Sequence, residues 1–247
     1  MRALACVTGG HDGVMDERAP ARLDEAVFVG GTLAYGIALQ RVIPERWHVP
    51  ANLAAALASL AVARRAGASS ADCGLAGGSV RCALGAGGAA AAVISAGIVV
   101  ISLPDRCRTL FSDERITGHG GGRAVYEVLV RIPVGTALSE EVLFRGAMLG
   151  VMLRRHSAAA AVAWASLCFG LWHVPPTLAS LRSAALGRDT RDRVGAIAAV
   201  AAVVAVTAAA GAGFAALRLR SGSVIAAALA HAALNATAYV VARSAGR

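Results

Sequence analysis

The sequence predicts an all-α protein, a polytopic helical bundle in a membrane with about seven transmembrane segments. Composition is the first reason. Hydrophobic residues make up 57% of the 247 and charged residues only 16%, with a mean hydropathy of +0.61, far from the charge content of a soluble domain. The second reason is arrangement: apolar runs of roughly spanning length recur, separated by stretches rich in Arg, Gly and Pro. The third is where polarity survives. In the later runs, nearly all strongly polar side chains fall into three short islands. A single integral domain is expected, with a tail and three spans in 1–123, a core in 124–241 and a short tail in 242–247.

Taken in order, residues 27–43 form a first apolar run that Pro44 ends. Residues 50–63 form a second, closed by Arg64 and Arg65. It is short for a crossing and spans only with help from its flank, or lies re-entrant. Residues 67–81 are Ser-, Gly- and Asp-rich and read as a loop. The third run, 82–103, is rich in Gly and Ala, which suits close packing of helices in lipid. Residues 104–123 carry four Arg and a Gly triplet and read as an exposed loop. The run 124–152 holds the first polar island, with Pro133 expected to kink it. Residues 158–173 form the next span, which Pro175 and Pro176 should stop, leaving 177–193 as a second basic loop. Two further spans follow, 194–217 and 224–241, joined by a turn at Ser221 and Gly222.

The net charge of +9 comes from Arg, since the chain has no Lys. Basic connections beside membrane spans are expected from headgroup electrostatics, so no nucleic-acid partner is called for; the partner is membrane lipid. Arg is divided almost evenly between the two sides, and orientation is therefore not legible. The five cysteines, Cys6, Cys73, Cys82, Cys107 and Cys168, are widely spaced without a CxxC, which indicates neither a disulfide framework nor a zinc knuckle. Cys168 reads as a packing residue. The first 22 residues are mixed-charge and Gly-rich, unlike a signal peptide, and Met15 is an alternative start.

The first island is Ser139 to Gly146, with Glu140, Glu141 and Arg145 among apolar residues. Ionisable groups inside a bilayer are rare and usually functional. Glu141 and Arg145 are four apart and share a helix face, so they can pair. Glu140 points about 100° away and is left for another role. The second island is Phe169 to His173, an imidazole at the end of an apolar run. The third is His231 to Asn235, a His and an Asn four apart. Each has a bland reading: a structural ion pair, an interface histidine, a polar pair gluing helices together. Together they make a set complete for hydrolysis. A carboxylate beside an imidazole can activate water, while a second imidazole and a carboxamide can donate hydrogen bonds to a developing oxyanion. Ser139 lacks the strained setting of a nucleophile and reads as an N-terminal cap.

In order and spacing the islands resemble the motifs of the CAAX-protease and bacteriocin-processing family of intramembrane endopeptidases. Glu140-Glu141 with Arg145 corresponds to EExxxR, Phe169 to His173 to FxxxH, and His231 to Asn235 to HxxxN. The resemblance covers roughly residues 125–238; the first three spans share only hydrophobicity. It implies that Glu140 and His173 activate the attacking water and that His231 and Asn235 hold the oxyanion. Glu141 and Arg145 would brace the site, and Phe169 would line it. It also implies a multi-pass protein of the cell membrane acting on membrane-anchored proteins or peptides, prenylated at the C-terminus in part of the family.

Three other readings follow from the same residues. An idle immunity or scaffold protein would keep the motifs without turnover. A proton-coupled transporter could use Glu140 and the histidines as a relay, although no inverted repeat accompanies them. Within the protease reading, Glu140, His173 and His231 could instead hold a catalytic zinc with an open position. No HExxH is present, and Asn235 one turn after His231 suits an oxyanion donor, so no cofactor is favoured.

Overall fold

The computed structural model describes residues 21–104, 114–183 and 190–245, and these are helical with turns and no strand. Cys6, Cys107, the alternative start at Met15 and residues 105–113 of the 104–123 stretch lie outside the described residues. Helix α1 is Ala21–Arg41, α2 His48–Arg65, α3 Val80–Ser102 and α4 the single turn Glu114–Thr117. The central helix α5 runs continuously over 121–153. It is followed by α6 (Ala158–Trp172), α7 (Val174–Ser183), α8 (Thr190–Ser221) and α9 (Val224–Ala245). All seven expected apolar runs are helical. Among the described residues four helical stretches are long and apolar enough to cross a membrane: Val80–Ser102, Ala158–Leu181, Arg193–Ser221 and Val224–Ala245.

Contacts at the helix ends show that the long helices alternate in direction. At one end, Glu25 near the start of α1 meets Arg155 and His156 of the α5–α6 connection at 3.4 and 3.0 Å. The α2–α3 loop joins them there: Asp72 accepts from Arg154 at 3.5 Å, and the Val224 N–H donates to the Gly74 carbonyl at 3.0 Å. Arg218 also donates to the Asp72 carbonyl. At the opposite end, Glu45 after α1 pairs with Arg123 at the start of α5. His119 bonds the Tyr239 hydroxyl at 2.8 Å and its carbonyl accepts from Arg243 of α9.

The first of these ends is closed. Leu143, Phe144, Met148, Leu149 and Met152 of α5 pack there with Ala63, Cys73, Ala161 and Cys168 in one apolar core. Burial pushes the Cys73 thiol above its ordinary value, so this cysteine packs as a small apolar group. Small residues bring the helices close. A side chain at Gly87 of α3 would strike the Ala226 backbone of α9, and one at Gly170 of α6 would strike the Val204 carbonyl of α8.

Several expectations are corrected. The 104–123 stretch is not loop throughout: it is helical at Glu114–Thr117 and again from Gly121 onward. Pro175 and Pro176 do not stop the helical rod; they open α7 after a one-residue break at His173. Proline suits a first helical turn, where its missing N–H has no partner to lose. Thr177 to Ser183 is therefore helix and not loop, and His173 lies inside an apolar stretch and not at its end. Ser139 caps nothing: it sits within α5, and its hydroxyl donates back to the Val134 carbonyl at 2.9 Å.

Along α5 the winding changes. Glu127–Leu138 and Val142–Met148 are π-type, with i→i+5 hydrogen bonding, and flank an ordinary α-turn at Ser139–Glu141. Pro133 lies in the first wide stretch. It cannot donate, and in an α-helix its ring clashes with the carbonyl four residues back, which wider winding relieves.

Candidate active site

Residue identities on α5 decide what is buried at its middle. Glu141 and Arg145 are 0% and 1% exposed and pair at 2.9 Å, one turn apart. A buried pair needs its remaining polar atoms served, and the guanidinium finds aromatic faces in place of further acceptors. Its carbon lies 4.0 Å from the Phe169 ring centre and 5.4 Å from that of Phe214, a cation–π arrangement strengthened by desolvation. Phe169 therefore supports Arg145 in addition to walling the site.

The oxygen of Glu141 that accepts from Arg145 also lies 2.9 Å from His231 Nδ1. His231 is almost fully buried, stacked on Phe214 with ring centres 5.0 Å apart and set edge-on to Phe169. With Nδ1 committed to Glu141, the other ring nitrogen points toward Glu140: His231 Nε2 is 4.0 Å from Glu140 Oε2.

Glu140 is held differently. Its Oε1 accepts from the Trp172 indole N–H at 3.1 Å. Its Oε2 is buried without a hydrogen-bond partner. An unpartnered carboxylate oxygen is costly to bury and marks a group kept for another task. Trp172 itself is wedged between Tyr35 of α1 and Phe144 of α5, with ring centres 5.8 and 5.7 Å away. Gly36 makes room for it, since a side chain there would lie 2.7 Å from the indole.

His173, in the break after α6, bonds the Phe169 carbonyl through Nδ1 at 2.7 Å. A carbonyl only accepts, so Nδ1 carries the proton and Nε2 presents a lone pair. The break places this imidazole on the wall of a cavity of about 550 Å³, together with Glu140, Trp172 and Asn235. Among the described residues the Asn235 carboxamide has no hydrogen-bond partner. The cavity lies in the half of the bundle away from the closed core and reaches the surface at Gln40.

The seven residues expected from the sequence are thus brought together. Glu140, His173 and Asn235 share one cavity, while His231, Glu141, Arg145 and Phe169 form the layer beneath. The imidazole within 4.0 Å of Glu140 is that of His231, whereas His173 occupies another part of the cavity wall. Glu140, His173 and His231 are not gathered as a zinc set: among the described residues no three His, Cys, Asp or Glu side chains form a ligand group.

Four contributors escaped the sequence reading: Trp172, Tyr35, Asn52 and Arg131. Asn52 on α2 donates to the Gly135 carbonyl and accepts from the Tyr35 hydroxyl, both at 2.7 Å. A carboxamide inside a short apolar run is the signal that could have found it. Trp172 stands inside the second island, where an indole counts as apolar by composition.

Residues 124–237 match the family model described as type II CAAX prenyl endopeptidase Rce1-like. No curated protein and no solved structure matches the chain.

Proposed function

We propose, on the match of residues 124–237 to the Rce1-like family model of type II CAAX prenyl endopeptidases, that this membrane protein hydrolyses peptide bonds through glutamate-activated water. The observation that carries the reading is the free Oε2 of Glu140, buried beside His231 in a cavity shared with His173 and Asn235. Substrates on this reading are membrane-anchored proteins or peptides, prenylated near the C-terminus. The alternating helix ends support a multi-pass protein of the cell membrane with seven crossings, the four apolar stretches among them.

The chemistry follows from the donors and acceptors. A water in the cavity donates to Glu140 Oε2 and to the lone pair on His173 Nε2. Glu140 takes its proton as the oxygen attacks the scissile carbonyl, a general-base step. Asn235 and the Nε2–H form of His231 donate to the carbonyl oxygen as it becomes an oxyanion. Glu140 then returns the proton to the departing amine. Glu141 and Arg145 cancel each other's charge in the layer beneath, which limits the cost of burying them. Trp172 keeps Oε1 occupied and Oε2 turned to the reaction. No metal is needed for these steps.

The test is cleavage of a lipid-anchored peptide by the purified protein in liposomes, with products identified by mass. Glu140→Gln should abolish the product while the protein stays folded. Full activity in that variant would overturn the assignment.

A further inference from the structure

The wide winding of α5 has a second effect on the cavity. The wall takes Arg131, Ile132, Gly135, Thr136 and Glu140 from this helix, positions that recur every four to five residues. In a regular α-helix Arg131 and Glu140, nine residues apart, lie about two and a half turns from each other and face opposite ways. The i→i+5 stretch Glu127–Leu138 brings both onto one wall.

Arg131 is also built to receive something. Its Nε donates to Glu127, a fully buried carboxylate that Arg123 shares at 2.7 Å. That contact anchors the guanidinium from behind. Its two terminal nitrogens have no hydrogen-bond partner among the described residues, and the side chain is 34% exposed. A planar fork with two free N–H groups matches a carboxylate. Glu140 is the cavity's one carboxylate, and Arg131 is its one guanidinium.

We propose that Arg131 binds the free C-terminal carboxylate of the substrate while Glu140 attends the bond to be cut. Nine helical residues advance at most about 13.5 Å along the axis. An extended peptide advances about 3.3–3.6 Å per residue, so a short extended C-terminal segment can reach from one group to the other. The proposal rests on the peptidase reading but is tested apart from it. A carboxylate could also come from an acidic side chain, and the experiment separates the two sources.

The probes are peptides bearing an S-farnesylated cysteine followed by three residues, made as free acid, as C-terminal amide, and as amide with a final glutamate. Equilibrium binding is measured on the full chain carrying Glu140→Gln, in detergent, with and without Arg131→Gln or Arg131→Lys. Free acid should bind about 10–100-fold more tightly than amide. Arg131→Gln should erase the difference, and Arg131→Lys should restore part of it. In the otherwise native chain Arg131→Gln should raise KM for the acid with little change in kcat.

Equal binding of acid and amide before any change at Arg131 overturns the proposal, and that comparison does not depend on whether an Arg131 variant folds. Discrimination that survives Arg131→Gln overturns it as well. Tight binding of the glutamate-ended amide overturns the C-terminal assignment. Acid-selective binding without cleavage would sink the peptidase reading and leave the carboxylate site; cleavage of acid and amide alike would do the reverse.

Discussion

Glu141 and His231 meet through Oε1 and Nδ1 at 2.9 Å, and this contact makes the second acid of the pair the orienting group for an imidazole on another helix. The same oxygen accepts from Arg145. Glu141→Gln should therefore act through stability, leaving Arg145 buried beside a neutral amide at a cost of about 3–5 kcal/mol. Glu140→Gln, which breaks no ion pair with arginine, should cost little stability and remove turnover. Thermal unfolding in detergent beside a cleavage assay reads both; equal stability losses would contradict the division of roles.

Trp172 makes a prediction of its own. Trp172→Phe keeps an aromatic ring between Tyr35 and Phe144 but deletes the N–H that holds Glu140 Oε1. A hydrogen bond to a charged group contributes about 1.5–3 kcal/mol, so turnover should fall roughly 10–100-fold while the protein stays folded. Unchanged kcat would show that Glu140 is positioned by other means.

Asn235→Ala and His231→Ala address the oxyanion and the metal together. Each should lower turnover about 10²–10³-fold with smaller effects on substrate binding, because the lost donor acts on charge that develops in the transition state. Activity should survive exhaustive chelation. A tightly held zinc, with activity restored by zinc after chelation and Asn235→Ala mild, would replace the water-activating scheme with a metal one.

Two neighbouring glycines on α8 offer a matched pair. A methyl at Gly211 would come within 2.7 Å of Arg145 Nη2 and 3.2 Å of the Phe169 ring, whereas one at Gly213 meets nothing within 4 Å. Gly211→Ala should destabilise by about 1–3 kcal/mol through overpacking and lower activity by moving Arg145. Gly213→Ala should be neutral or slightly stabilising, since alanine favours helix by up to about 1 kcal/mol. Similar unfolding temperatures for the two variants would argue against the packing around Arg145.

Polar side chains at membrane depth are conspicuous against an apolar background, which is why Glu140, His173, His231 and Asn235 stand out in the sequence. The helical runs were legible for the same reason, from hydropathy and length. What could not be read depended on geometry that no local pattern encodes. Arg131 looks unrelated to Glu140 at 3.6 residues per turn, and only the wider winding joins them. Proline reads as a stop unless the break before it is visible, so α7 was expected as loop. Trp172 counts as apolar by composition, although its single N–H is what matters. The pairing of His231 with Glu141 needs α9 packed against α5, a long-range contact that spacing alone does not specify.

The alternating helix ends make the bundle one-sided. Connections 66–79 and 154–157 and the α8–α9 turn seal one end, while Gln40, His48, Ile116, Pro176 and Ala242 surround the cavity at the other. Helix α9 starts at the sealed end and finishes at the open one with Ala245. The end of α9 therefore lies on the side to which the cavity opens, and on the proposed peptidase reading that is the side from which substrate would be drawn and into which the cut fragment would leave. A protease-sensitive reporter fused after Ala245 would report the sidedness of processing, a property that the even spread of arginines conceals.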